Sequence, residues 1–194
     1  MDIARLFLTR YDILCDFWLA VLWDSVSEDL MRQRPHPRVN SIAWNMWHLT
    51  RAEDAGLNRF VVDLPQVLDE GDWMQKMNLP WRHHGGEMSL AEVDELDGRI
   101  DLQALRLYSQ TVQTRTYEII ARIDQVDLEA TLQEEHVRKV IVAEGLAHSN
   151  PQGFIQNYTG WTKGKTLMNL GLTHAYQHVG EMDVIVTLLG VDHG

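Results

Sequence analysis

The chain contains a single cysteine, Cys15, so it has no internal disulfide framework, and one thiol fits a reducing compartment. The residues around it, Leu14 and Phe17, suit a small core residue better than a reactive thiol. No uninterrupted apolar run approaches the roughly 18 residues that a membrane-spanning helix needs. Arg5, Arg10, Asp12 and Asp16 break up the N-terminal apolar segment, which therefore does not read as a signal peptide. Positive charge is also scarce: 17 Lys and Arg stand against 28 Asp and Glu, a net charge of −11. No basic stripe is visible, which argues against a nucleic-acid partner. These absences describe a cytoplasmic protein that neither enters a membrane nor binds a phosphate backbone. Strand signals, internal repeats and low-complexity tracts are scarce or missing too, which leaves little support for an alternating strand–helix architecture.

What is present is helical periodicity in a chain of 194 residues, a length suited to one domain, residues 1–194. A first helix is expected from about Ile3 to Met31, with Leu6, Ile13, Phe17, Ala20 and Val21 as its apolar positions. It stops at Arg34-Pro35-His36-Pro37. A second begins at Asn40 or Ser41, either of which can cap, and runs to about Val62 before Pro65. A third spans about Leu102–Ile123, preceded by a short helix behind the capping-box sequence Ser89-Leu90-Ala91-Glu92. A fourth covers the stripe Leu167–Leu189. The long connections Pro65–Met88 and Asp124–Gly164 remain, the second containing an alternating Val137–Val142 run that reads as a short strand or hairpin. The pattern is that of an all-α four-helix bundle with long connections between helices 2 and 3 and between helices 3 and 4.

The fourth helix carries the most informative feature. Leu167, Gly171, His174, His178, Met182, Ile185 and Leu189 share one helical stripe, so burying the apolar face also buries two imidazoles one turn apart. Buried imidazoles need partners. Either each is satisfied separately in the core, or both point at one divalent metal, for which imidazole is a common ligand. His48, the only histidine of the first three helices, lies on the flank of the second helix's apolar sector and is the candidate third ligand. Three protein ligands leave a coordination position open, as in catalytic sites. The other histidines read as bystanders. His83 and His84 fall in a glycine-flanked loop expected to be solvated, His36 lies between prolines, and His193 is near the C-terminus. His136 and His148 reach a site only if the last connection folds back. Residue identity excludes two alternatives: Ala175 follows His174 where a zincin needs glutamate, and the paired Glu-x-x-His motifs of di-iron bundles are missing.

Trp44-Asn45-Met46-Trp47-His48-Leu49, Gly160-Trp161-Thr162-Lys163-Gly164 and Leu172-Thr173-His174-Ala175-Tyr176-Gln177-His178-Val179-Gly180-Glu181 resemble the DinB-like (DinB/YfiT-like) superfamily of metalloenzymes. The resemblance covers nearly the whole chain in element order. It implies a four-helix bundle, often a homodimer, with a metal held by His48, His174 and His178; zinc and nickel both suit imidazole ligands. It also implies transfer of a low-molecular-weight thiol to a small-molecule substrate. Two other readings stand beside this one: a metal-dependent hydrolase, and a non-catalytic dimeric regulatory bundle with a structural metal. Glu181, about 60° from His178 on the helix, is a candidate orienting group or base. Tyr158, Trp161 and Tyr176 are candidates for lining a pocket. Glu53, a carboxylate near the centre of the second helix's apolar sector, is expected to support the site or to pair with an arginine.

Overall fold

The computed structural model describes residues 2–191 and is helical throughout, with no strand among them beyond one isolated bridge between Thr131 and Thr162. In chain order the helices are α1 (residues 3–25), α2 (Glu28–Met31), α3 (residues 42–62), α4 (Trp73–Lys76) and α5 (Leu90–Arg99). They continue with α6 (Leu102–Ile120), α7 (residues 134–143), α8 (Pro151–Tyr158) and α9 (residues 163–188). The four long helices α1, α3, α6 and α9 form the bundle. His193 lies outside the described residues. No described helix is long and apolar enough to cross a membrane.

Helix starts follow local chemistry. The side chains of Asp2, Ser41, Asp101 and Thr162 each accept a hydrogen bond from a first-turn backbone N–H, and Ser89 with Glu92 forms the expected reciprocal capping box. Three expectations fail. The first helix ends at Ser25, because Val26 is extended and Ser27 caps a separate α2. Its buried side also differs: Phe7, Tyr11, Leu14, Leu19 and Leu22 are buried, whereas Leu6, Ile13, Phe17 and Val21 are exposed. The buried stripe begins at Phe7 and Tyr11, one position away from Leu6, and a π-helical segment over Ile13–Leu19 shifts it by a further residue to Leu19 and Leu22. The Val137–Val142 run is not a strand either; it lies in α7, where Val137, Val140 and Ile141 are buried at helical spacing and Glu134 and Glu135 favour the helix N-terminus.

The central element is α3, in which every residue from 42 to 61 is buried. Its apolar side meets α1, α6 and α9, and its charged side lies under the two long connections. Arg51 and Asp54 are fully buried and form an ion pair of 3.1 Å. Asp54 also accepts from the Tyr108 hydroxyl at 2.5 Å, Asn58 Nδ2 at 2.8 Å, and the backbone N–H groups of Val67 (2.8 Å) and Leu68 (3.0 Å). Arg51 also donates to Tyr108, to Gln66 and twice to the Arg82 carbonyl. Further along α3, Arg59 grips Glu144 with two bonds of 2.8 Å, and Arg82 donates to the Glu144 carbonyl at 2.7 Å. Both connections are thereby tied to α3 and to each other.

Close approach of α9 to α3 and to α1 depends on glycine. A Cβ at Gly56 would lie 2.5 Å from a Leu170 methyl carbon, and one at Gly171 would lie 2.9 Å from the Phe7 ring. Both glycines sit in π-helical segments, Gly56–Val62 and Asn169–Thr173, the second ending immediately before His174.

Glu53 pairs with hydroxyls rather than with an arginine: it accepts hydrogen bonds from Tyr11 on α1 and from Thr116 on α6, the latter at 2.6 Å. Desolvation pushes its carboxyl up to about 7, a rise the two hydroxyls only partly offset. The folded state therefore binds a proton that the unfolded chain has released between about pH 4.5 and 7, so this residue's contribution to stability falls as pH rises through that window. Across pH 5 to 8, urea unfolding of Glu53→Gln should improve relative to the unsubstituted protein by roughly 3 kcal/mol, at 1.36 kcal/mol per pKa unit. A pH-independent difference would contradict the assignment.

Candidate metal centre

Three imidazoles converge where α3 passes α9. His48 Nε2 lies 3.1 Å from His174 Nε2, and His178 Nε2 lies 3.2 Å from the same atom. The three ligand-capable nitrogens all fall within 4.8 Å of one another. The helical repeat of α9 sets the His174–His178 pair, and the crossing of α3 supplies His48. Trp44, one turn before His48, stacks on its ring at 4.5 Å and meets His178 edge-on.

The outer nitrogens fix the protonation pattern. His48 Nδ1 donates to the His84 carbonyl at 2.5 Å, and His178 Nδ1 donates to Asn45 Oδ1 and Glu181 Oε2, each at 2.8 Å. The Asn45 amide is oriented for this because its Nδ2 donates to the Ser41 carbonyl. With protons on Nδ1, both Nε2 atoms present lone pairs to the same point. Burial also disfavours the charged rings. His48 is held well below its usual range, His174 falls to about 4, and His178 is lowered despite the opposing pull of Glu181.

Two lone pairs, on His48 Nε2 and His178 Nε2, face His174 Nε2, so either the proton of a neutral His174 ring or a cation among the three nitrogens can answer them. The donor set suits a divalent transition metal: around a tetrahedral zinc at about 2.0–2.1 Å, imidazole nitrogens stand roughly 3.3–3.4 Å apart, close to the observed separations. His174 Nδ1, buried and without a hydrogen-bond partner, is free to carry the proton when its Nε2 is a ligand.

Beside the cluster is a cavity of about 210 Å³, bordered by His48, His174, His84, Phe154, Tyr158 and Leu170 among others. Tyr158 borders this cavity, with its phenol raised to about 12 by burial. Trp161 stands one layer back, edge-on to Tyr158 at 5.1 Å and covered by the Lys165 ammonium. Tyr176 faces α1 instead, where its hydroxyl donates to the Arg10 carbonyl at 2.8 Å. Glu181 touches the cluster only through His178 Nδ1, on the side away from the converging nitrogens.

Two histidines read as solvated are not. His83 and His84 are each only 7% exposed, with pKa values lowered by desolvation to about 4 and about 3. Their loop is drawn inward by Arg51, which holds the carbonyl of Arg82, and by the His84 N–H, which donates to the Leu146 carbonyl at 3.1 Å. Gly85 permits the turn: its φ is +83°, and a Cβ there would lie 2.3 Å from the Trp47 ring. A sequence reading could have found this only by asking what satisfies Arg51. His136 bonds to the Arg59 carbonyl and His148 to Glu92, so the structure brings neither into the cluster.

The tautomers are directly measurable. In 15N spectra of metal-free protein at neutral pH, His48 and His178 should appear as Nδ1–H forms. His84, whose Nδ1 accepts from the Gly86 N–H at 3.1 Å, should appear as the Nε2–H form. The reverse pattern at His48 or His178 would remove the converging lone pairs.

A family model for the DinB superfamily matches residues 19–182. Among solved structures, the crystal structure of a conserved protein from Enterococcus faecalis is similar at 16% identity and a TM-score of 0.68. The match covers 98% of this chain and 99% of that one, and at this identity it speaks to the fold alone. No curated protein matches the sequence. With most of its length matched by the family model, the chain belongs to the DinB superfamily.

Proposed function

We propose that this protein is a metal-dependent enzyme in which His48, His174 and His178 hold one divalent transition metal, zinc or nickel, and that it transfers a low-molecular-weight thiol to a small electrophilic substrate. The observation that carries the enzymatic reading is the cavity beside the cluster, with His48 and His174 in its wall. A purely structural metal site would be closed by a fourth protein ligand or by packing. A bound divalent cation held by neutral imidazoles supplies Lewis acidity that lowers the pKa of a thiol or a water. The chain's own residues do the rest. His84's carbonyl, Asn45 and Glu181 lock the imidazole tautomers. Phe60, Phe154 and Leu170 give the cavity its apolar wall, and the Tyr158 hydroxyl, protonated at neutral pH, is available as a donor there. The choice of a thiol over water rests on the family resemblance.

Elemental analysis should find about one equivalent of metal per chain, lost in His174→Ala and His178→Ala and strongly reduced in His48→Ala. Metal-loaded protein screened with several thiols against epoxides and chlorinated aromatics should consume thiol, and the histidine variants should not. Metal binding without turnover by any thiol or water would favour the regulatory reading.

We also propose a homodimer, formed through the outer face of α1, which exposes Leu6, Ile13, Phe17, Trp18 and Val21. That much apolar surface on one helix is characteristic of an interface. Light scattering should give twice the chain mass, and Phe17→Glu should shift it towards the monomer. A monomeric unsubstituted protein at micromolar concentration would refute the dimer.

A further inference from the structure

A second cavity, of about 350 Å³, shares no bordering residue with the one beside the imidazoles. It lies where the end of α3, the end of α6 and the start of α9 meet the turn at 123–127. Val61, Val62, Leu64, Ile119 and Val126 give it an apolar surface. Val61 and Ile119 are buried, whereas Leu64 is 45% exposed. The backbone holds Leu64 in that position. Asp63 takes a left-handed φ of +54°, and Arg59 grips its side chain at 2.6 Å. The Leu64 N–H then donates to the Asn58 carbonyl at 2.8 Å, and the Leu64 carbonyl accepts from Arg59 at 3.1 Å. The α9 side is tied down as well: the N–H groups of Lys163 and Gly164 donate to the carbonyls of Ala130 and Leu128 at 2.9 and 2.8 Å.

Two cations, Arg122 and Lys163, border this apolar surface. Neither side chain has an ion pair or hydrogen bond among the described residues, although Arg59, Arg106 and Arg115 are all paired with carboxylates. The two acids of the groove are engaged elsewhere: Glu118 pairs with Arg115 at 3.4 Å, and Asp127 accepts from the Glu129 N–H at 3.1 Å. Lys163 belongs to the Gly160–Gly164 segment, yet the three-imidazole site does not use it. Unpaired positive charge thus stands beside a fixed apolar surface in a chain of net charge −11.

We propose that this groove binds a small aliphatic monocarboxylate, with Arg122 and Lys163 holding the carboxylate and the hydrocarbon chain lying over Val62, Leu64 and Val126. Charged donors at the edge of an apolar pocket match an anion that carries a tail. A single negative charge is favoured because Glu118 and Asp127 at the same groove oppose a dianion. Volume sets the length: about 350 Å³ is more than twice the roughly 150 Å³ that accommodates benzene, leaving room for a chain of about eight carbons. The proposal does not depend on a metal at the imidazoles.

The probes are octanoate, 1-octanol and octylamine, titrated by calorimetry into metal-free protein so that no cation at the imidazoles competes for the carboxylate. Octanoate should bind roughly tenfold more tightly than octanol, the difference expected of a charge-assisted contact, and octylamine more weakly than either. Hexanoate should bind roughly tenfold more weakly than octanoate for the loss of two methylenes. Methyl 13C spectra should show octanoate shifting Val62, Leu64 and Val126. Arg122→Gln and Lys163→Gln should each lower octanoate affinity towards that of octanol while leaving octanol binding unchanged. Lys165→Gln, the same change of charge outside the groove, should alter neither. Equal affinity for octanoate and octanol, undiminished octanoate binding in either groove variant, or an equal loss in Lys165→Gln would overturn the proposal. Methyl shifts confined to the cavity beside His48 and His174, or no octanoate binding at millimolar concentration, would do the same.

Discussion

The buried pair of Arg51 and Asp54 is the constraint on which the functional end of this molecule depends. Two charges removed from water are tolerable only if each finds a full set of partners, and here they do. Asp54 takes donors from α6, from α3 itself and from the backbone at Val67 and Leu68. Arg51 spends all of its N–H groups on Asp54, Tyr108, Gln66 and the Arg82 carbonyl. Removing one member of such a pair costs about 3–5 kcal/mol, a large share of the roughly 5–15 kcal/mol that stabilises an ordinary domain. Most of the partners, Gln66, Val67, Leu68 and Arg82, belong to the first long connection, so satisfying the pair and folding that connection are a single event.

The candidate metal centre inherits its geometry from that event. Arg51 fixes Arg82, which places His84 two residues on, and the His84 carbonyl then orients His48. Glu144 extends the same logic to the second connection. It binds Arg59 with both oxygens, and its carbonyl holds Arg82, which brings Leu146 beside the His84 N–H. Each ligand imidazole on α3 and α9 is thus a bundle residue, but the tautomer of His48 and the walls of the cavity are set by segments outside the bundle. The Arg51–Asp54 and Arg59–Glu144 networks hold these segments in place and so keep the rings preorganised.

The tolerance of α3 for so many buried polar groups follows from the same accounting of partners. Ser41, Asn45, His48, Arg51, Glu53, Asp54, Asn58 and Arg59 are all buried, and each makes at least one hydrogen bond to a neighbouring element or to its own helix. Glu53 is the exception in kind, because its partners are neutral hydroxyls and its charge is left uncompensated. It joins α1, α3 and α6 through the hydroxyls of Tyr11 and Thr116 and makes no hydrogen bond to His48.

Sequence alone determined whatever depends on local pattern: the four long helices, their capping residues, and the coincidence of His174 and His178 with an apolar stripe. It also reached His48, since only one histidine was present in the earlier helices and its flank position faced a plausible neighbour. The tertiary structure decided the rest. The face that α1 buries was decided by packing, since Phe7 and Tyr11 rather than Leu6 turn inward before the π-helical segment, and the residue that segment inserts then shifts the stripe again without leaving a mark in composition. The burial of His83 and His84 was hidden for a different reason. A glycine-rich loop reads as solvated until a buried guanidinium elsewhere in the chain requires its carbonyls, and that demand acts across about 30 residues of sequence, between Arg51 and Arg82.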